Sequence, residues 1–127
     1  MTLKHIRLEL ARTRDFPEGS ALFGYEFTAP LDDAGLLDPI GWKKMHQACT
    51  VRRFWGDASD EHGLLKHRQD GKWVFTYKPG DDDDEPVFRF DHHRFALGEY
   101  VSVTEHDGVS RPFKVTFVKN PASLRRT

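Results

Sequence analysis

The sequence predicts a mainly β protein, a single antiparallel β-barrel or sandwich of about eight strands with one short helix near residues 39–48. Three observations support this prediction. Apolar residues alternate with polar ones in most segments, aromatic residues make up 13% of the 127 residues, and two Asp-Gly pairs separate alternating segments. Alternation places every second side chain on one face of a strand, and Asp-Gly supplies the positive φ angles of a tight hairpin turn.

The alternating segments are predicted as strands in chain order. The first carries Ile6, Leu8 and Leu10 on one face. The others repeat the same period in aromatic and β-branched residues, which strand surfaces favour. Their alternating residues are Phe23, Tyr25 and Phe27; Trp73, Phe75 and Tyr77; Phe88 and Phe90; Val101 and Val103; and Phe113, Val115 and Phe117. The Asp-Gly pairs at 70–71 and 107–108 predict hairpins over residues 64–78 and 99–119.

Residues 50–55 alternate less regularly. Val51, Arg53 and Trp55 share one face, whereas Phe54 falls on the other. We expect a strand with a bulge near Arg52 and Arg53, because a bulge shifts the following side chains to the opposite face.

A short helix is predicted after Asp38 and Pro39. The aspartate can accept hydrogen bonds from free amide groups, and proline at the first helical position loses no hydrogen bond. Trp42, Met45 and Cys49 then recur at positions i, i+3 and i+7, which places them on one helix face. The helix belongs to a long connection, residues 28–48, that would cap one open end of a barrel.

The composition indicates one domain over residues 1–120 and a frayed tail over 121–127. A single cysteine excludes an internal disulfide, so we expect a reducing, cytoplasmic setting. No apolar run is long enough to cross a membrane, and charged residues interrupt the first ten positions, so we expect neither a membrane segment nor a secretory signal.

Two segments resemble those of a known group of proteins. Residues 4–10 (KHIRLEL) and 16–20 (FPEGS) are similar to segments in a family of small bacterial proteins of unknown function. The resemblance covers the N-terminal third and implies a bacterial, cytoplasmic origin. It implies no activity and no role for any residue.

Charge is segregated along the chain although the formal net charge is only −1. Residues 15–38 carry six acids and no base, and residues 108–127 carry five bases and no acid. One interpretation is a solvated surface. The other is a binding module that meets an acidic protein partner through a basic, aromatic surface. The residues proposed for that surface are Arg52, Arg53, Trp55, Arg68 and Lys78. Single-stranded nucleic acid is a less favoured partner, since the isoelectric point is near 6.6.

An alternative hypothesis is a small-molecule-binding or enzymatic barrel with a pocket that contains histidine and cysteine. Its candidate ligand or metal residues are His46 and Cys49, three positions apart on the predicted helix, and the cluster Asp91, His92 and His93. Two ligands do not make a structural zinc site, which needs four, and extended residues 92 and 93 would point to opposite faces. We therefore expect no metal, no cofactor and no catalytic residue, and we expect Cys49 to be a buried thiol.

Overall fold

The computed structural model describes residues 2–69, 71–77, 85–88, 94–105 and 108–119. Within these ranges the chain forms eight strands and one short helix. The strands are β1 (Thr2–Leu10), β2 (Ser20–Leu31), β3 (Thr50–Trp55), β4 (Ala58–His67), β5 (Trp73–Thr76), β6 (Glu85–Phe88), β7 (Tyr100–Thr104) and β8 (Ser110–Lys119). Helix α1 spans Pro39–Met45 and is followed by a 3-10 turn over His46–Ala48. The predicted mainly β fold with one short helix is confirmed.

Each strand pairs antiparallel with the next, and β8 pairs with β1, so the sheet closes into a barrel. At the closure Ile6 lies opposite Val118, and Leu10 lies opposite Phe113. Among the described residues, β6 has the fewest paired residues, with two pairs to each neighbouring strand. Closure joins the first and last strands, so neither is left as an edge that could pair with another chain.

Both predicted hairpins are present. One joins β4 to β5 and the other joins β7 to β8. Gly71 and Gly108 have φ angles of 86° and 83°, in the left-handed region that favours glycine. In each turn the glycine amide donates to the carbonyl three residues earlier, at 2.9 and 2.8 Å. The Asp-Gly pattern therefore marked both turns, although the two aspartates lie outside the described residues.

Apolar and aromatic side chains fill the barrel. Tyr25 stacks on Phe75 with ring centroids 5.1 Å apart, and Phe113 meets Tyr25 edge-on at 5.2 Å. Burying each ring stabilises the fold by roughly 1.5–3 kcal/mol. The core cluster consists of Ile6, Leu8, Leu10, Tyr25, Phe27, Ala29, Leu31, Leu37, Cys49, Val51, Leu65, Trp73, Phe75, Phe95, Val101, Val103, Phe113 and Val115.

The connection from β2 to β3 covers one end of the barrel. The Asp38 carboxylate caps α1 by accepting hydrogen bonds from two amides of the first turn, at 3.0 and 3.2 Å. Trp42 packs against the core, its indole nitrogen donates to the Leu65 carbonyl at 2.8 Å, and its ring centroid lies 6.0 Å from that of Trp73. These contacts explain why so short a helix is stable, since tertiary packing rather than propensity holds it.

The predicted bulge in β3 is wrong. Strand β3 pairs with β2 without interruption, and the register shift lies on its other side, where β4 contributes the extra residue. Phe54 faces outward and is nevertheless buried, because Arg7 and Arg52 lie over its ring at 4.3 and 4.9 Å. Two guanidinium groups thus take the place of a hydrophobic core around this ring.

Several predicted features lie outside the described residues. They are Lys78, Phe90, the acidic residues 81–84, the cluster Asp91, His92 and His93, and the tail 121–127. Residues 81–85 are five consecutive acids, and the last of them, Glu85, begins β6. Among the described residues, no helix has both the length and the apolar character needed to cross a membrane.

Candidate functional site

The structure separates the residues proposed as one basic, aromatic surface. Arg52 faces the outside of the barrel, whereas Arg53 and Trp55 face the inside. Strand β4 has ten residues and starts opposite Trp55, and Arg68 follows its last residue. Arg68 therefore lies roughly 30 Å from Trp55 along the barrel wall. The described members of the set therefore do not form one patch.

Arg53 belongs to an ion cluster inside the barrel. Its centre is Glu105, whose side chain has no exposed surface. This carboxylate accepts hydrogen bonds from the Tyr25 hydroxyl at 2.6 Å, from Arg53 at 2.9 and 3.1 Å, and from Arg111 at 2.7 Å. Both guanidinium groups lie near the Trp55 ring, at 4.1 and 5.6 Å from its centroid. The cluster fills the barrel end opposite α1.

The charges within this cluster compensate each other. Burial opposes the charged form of Arg53, but Tyr25 and Glu105 outweigh it, so the pKa of Arg53 is raised. Glu61 supplies a second carboxylate 3.6 Å from Arg53. Two guanidinium groups thus face two carboxylates, and the cluster presents no excess positive charge to an acidic partner.

A second ion cluster lies on the outer face of β1, β2 and β3. Glu26 accepts from Arg52 at 2.7 Å and from Arg7, and it lies 3.0 Å from the His5 ring nitrogen. Arg52 also donates to Asp60 at 2.8 Å. Burial raises the pKa of the Glu26 carboxyl, but the hydrogen bond to His5 and the two arginines outweigh this effect and lower it overall. These charges, too, are already paired within the chain.

His46 and Cys49, which were predicted on the helix, lie in and after the 3-10 turn that follows α1, and they do not form a reactive pair. Cys49 is fully buried, its thiol donates to the Met45 carbonyl at 3.4 Å, and burial raises its pKa to about 11. His46 is exposed, with its ring 5.5 Å from that of Trp42. Among the described residues, no three His, Cys, Asp or Glu side chains converge as a metal ion requires.

A groove of about 840 Å³ lies on the outer surface where β1, β8 and β7 meet the connection between β1 and β2. Lys114 lies opposite Glu9 on one neighbouring strand and opposite Tyr100 on the other. These three side chains form a row across the sheet, in which an aromatic ring, a cation and a carboxylate follow one another. The groove is lined by Glu9, Leu10, Ala11, Arg12, Glu18, Gly19, Ser20, Ala21, Tyr100, Lys114 and Thr116.

Thr116 lies at a β-bulge beside the groove. Arg7 pairs with Phe117 and Leu8 pairs with Val115, so Thr116 is the extra residue on β8. Its hydroxyl is buried and has no hydrogen-bond partner in the described part of the chain. Most buried hydroxyls are hydrogen-bonded, and bulges often direct a side chain toward a functional site. This hydroxyl is therefore the first indication that the groove receives a polar group.

The other polar side chains of the groove are also uncommitted. Within the described ranges, no side-chain hydrogen bond, ion pair or ring contact involves Arg12, Glu18, Tyr100 or Lys114, all of them exposed. Arg12 and Glu18 lie on the connection between β1 and β2. This connection is held in place because Phe16 packs on Phe23, with ring centroids 5.0 Å apart. Tyr100 and Lys114 stand on paired strands. Convergent, uncommitted polar groups on a fixed backbone are what a ligand site needs.

Comparison with models of protein families, with curated proteins and with solved structures found no match. The resemblance of residues 4–10 and 16–20 to a bacterial family stays a prediction.

Sequence reasoning missed both Glu105 and the groove. For Glu105 a signal existed, because it continues the alternation of Val101 and Val103 and thus points to the core face. For the groove no local signal exists, since its residues come from segments that only barrel closure brings together.

Proposed function

We propose that this protein is a non-catalytic binding module that takes a small polar ligand in the groove between β1, β8 and β7. One observation carries the proposal. Charged groups elsewhere, such as Glu26 and Glu105, are bound by their own chain, whereas four exposed side chains of the groove have no side-chain partner among the described residues, namely Arg12, Glu18, Tyr100 and Lys114. Ligand binding can therefore use these groups without first breaking internal ion pairs.

The predicted acidic-partner surface receives less support from the geometry. Arg52 and Arg53 face opposite sides of the barrel wall, and each is paired with a carboxylate. An acidic partner would have to compete with these internal carboxylates, which reduces the gain from binding. A protein partner for Arg52, Arg53, Trp55, Arg68 and Lys78 stays a prediction.

The sequence supports a bacterial cytoplasm as the setting for this module. The lone cysteine is consistent with a reducing compartment. The resemblance of the N-terminal segments supports the bacterial origin.

The proposal is tested by nuclear magnetic resonance on the full chain, labelled with nitrogen-15. Neutral, anionic, cationic and zwitterionic small molecules are added at roughly millimolar concentration, where weak sites fill. We expect at least one class to shift the amide signals of Ala11, Gly19, Tyr100 and Thr116. Shifts confined to other parts of the barrel, or none with any class, would overturn the proposal.

Two variants make this test specific. Lys114→Met removes a cation from the groove. We expect weaker binding, because the Lys114 ammonium group has no partner among the described residues and can bind the ligand directly. Lys43→Met removes an exposed cation from α1 and serves as the matched control. Equal effects of the two variants would show that general charge, rather than the groove, governs binding.

A further inference from the structure

We propose that the ligand of the groove is a neutral saccharide, an inference that rests on the groove being the binding site. Three properties of the groove support this class of ligand. They are its low net charge, the mixture of donors and acceptors in its lining, and the exposed ring of Tyr100.

The charge of the lining favours a neutral ligand. Glu9 is already paired with Arg7 at 2.7 Å, which leaves Arg12 and Lys114 as two positive charges and Glu18 as one negative charge. These charges nearly cancel and are exposed to water, so they attract a charged ligand only weakly. The groove is also open to water, and solvent-exposed ion pairs contribute little binding energy. A small charged ligand would therefore gain little from this site.

The hydrogen-bonding groups of the lining suit hydroxyl groups. Carboxylates only accept hydrogen bonds, and ammonium and guanidinium groups only donate them. A hydroxyl group does both, so the hydroxyls of a sugar can bind acceptors such as Glu18 and donors such as Lys114. The buried Thr116 hydroxyl lacks a described partner and can donate to or accept from the same kind of group.

Tyr100 supplies an apolar platform beside these polar groups. Its side chain is 55% exposed, although a tyrosine ring gains energy when it is buried. Sugar rings carry an apolar face of C–H groups, which can pack on an aromatic face while the hydroxyls point sideways. Stacking on Tyr100 would therefore place the hydroxyls of a sugar against Lys114, its partner across the sheet.

Calorimetric titration of the full chain with neutral oligosaccharides tests this inference. The probes are cellotetraose, maltotetraose, xylotetraose and chitotetraose, with glutamate, lysine and glycine betaine as charged and zwitterionic comparisons. We expect saturable binding of at least one saccharide and none of the comparisons. Binding of a comparison in the groove with no saccharide binding would overturn the inference and leave the proposed function intact. Binding of no probe in the groove would overturn the inference, whereas the proposed function fails only if the wider set of small molecules also leaves the groove signals unchanged.

Variants of the stacking and hydroxyl groups identify the contacts. Tyr100→Ala is expected to weaken saccharide binding about tenfold, whereas Tyr100→Phe keeps the ring and stays within roughly twofold of the wild type. Thr116→Val should weaken binding roughly threefold through its lost hydroxyl. Ile40→Ala, at a 71% exposed residue of α1, is the control and should change nothing. Wild-type affinity in Tyr100→Ala would overturn the inference.

Discussion

Arg52 and Arg53 are neighbours in the chain, yet their guanidinium groups lie on opposite sides of the barrel wall. Arg52 donates to Glu26 at 2.7 Å on the outer face, with 34% of its side chain exposed. Arg53 donates to Glu105 at 2.9 Å inside the barrel, with 11% exposed. The two arginines differ mainly in burial, which makes them a matched pair for measuring what burial does to an ion pair.

We predict that Arg53→Gln destabilises the protein far more than Arg52→Gln. Removing Arg53 leaves the fully buried Glu105 short of a cation, and breaking a buried pair costs about 3–5 kcal/mol. Removing Arg52 breaks an exposed pair with Asp60 and a half-buried pair with Glu26, which keeps Arg7 as a partner, so the loss should be about 1 kcal/mol. Urea unfolding of both variants measures the difference. Equal losses would contradict the burial argument.

The lowered pKa of Glu26 predicts a loss of stability in acid. A carboxyl whose pKa is lower in the folded state stabilises the protein fully above its ordinary value of 4.5, and this contribution disappears as the pH falls through the folded value. The free energy of unfolding should therefore drop as the pH falls below about 5. In Glu26→Gln this part of the drop should be absent. Glu18→Gln, at an exposed residue without a described partner, should keep the wild-type profile.

Cys49 is predicted to be unreactive while the protein is folded. Alkylation requires the thiolate, and a pKa of about 11 leaves roughly one molecule in ten thousand as thiolate at neutral pH. Iodoacetamide labelling followed by mass spectrometry should be slow in buffer and rapid in concentrated urea. Cys49→Ala provides the blank. Labelling in buffer at the rate of a free thiol would instead indicate an accessible, reactive cysteine.

Gly24→Ala is predicted to destabilise the barrel by about 3 kcal/mol or more, since overpacking against backbone cannot relax easily. A Cβ atom at Gly24 would lie 1.9 Å from the Leu8 carbonyl oxygen and 3.0 Å from the Phe54 ring. Gly98→Ala is the control, because its Cβ would meet nothing within 4 Å and only the φ angle of 88° is strained. That strain costs roughly 1–2 kcal/mol. Thermal unfolding that ranks Gly98→Ala as the worse variant would contradict the packing argument.

Part of the fold was predictable because its causes are local. The alternation of Ile6, Leu8 and Leu10 and the positions of Gly71 and Gly108 depend on neighbouring residues alone, and the structure agrees with them. The first half of β4 was not predictable in this way. Residues 58–63 are polar and alternate weakly, and they form a strand because β3 pairs with them.

The candidate site was less predictable than the fold. Arg53 shares the parity of Val51 and Trp55, so its inward direction could be read from the sequence, but its partner Glu105 is 52 positions away. In the same way, Glu9 and Lys114 become neighbours only because β8 closes onto β1. Sequence patterns predict on which face of its own strand a side chain lies. They do not predict which residues from distant strands lie next to it.

By itself the sequence determined most of the strands, the two glycine turns, the capped helix and the apolar core, because hydrophobic alternation and turn chemistry act over a few residues. Only the tertiary structure decided that Arg52 and Arg53 are bound by their own chain and that uncommitted polar groups gather beside Tyr100. The physical reason is barrel closure. It brings charges from distant segments within hydrogen-bond distance, and so determines which of them are neutralised and which remain available to a ligand.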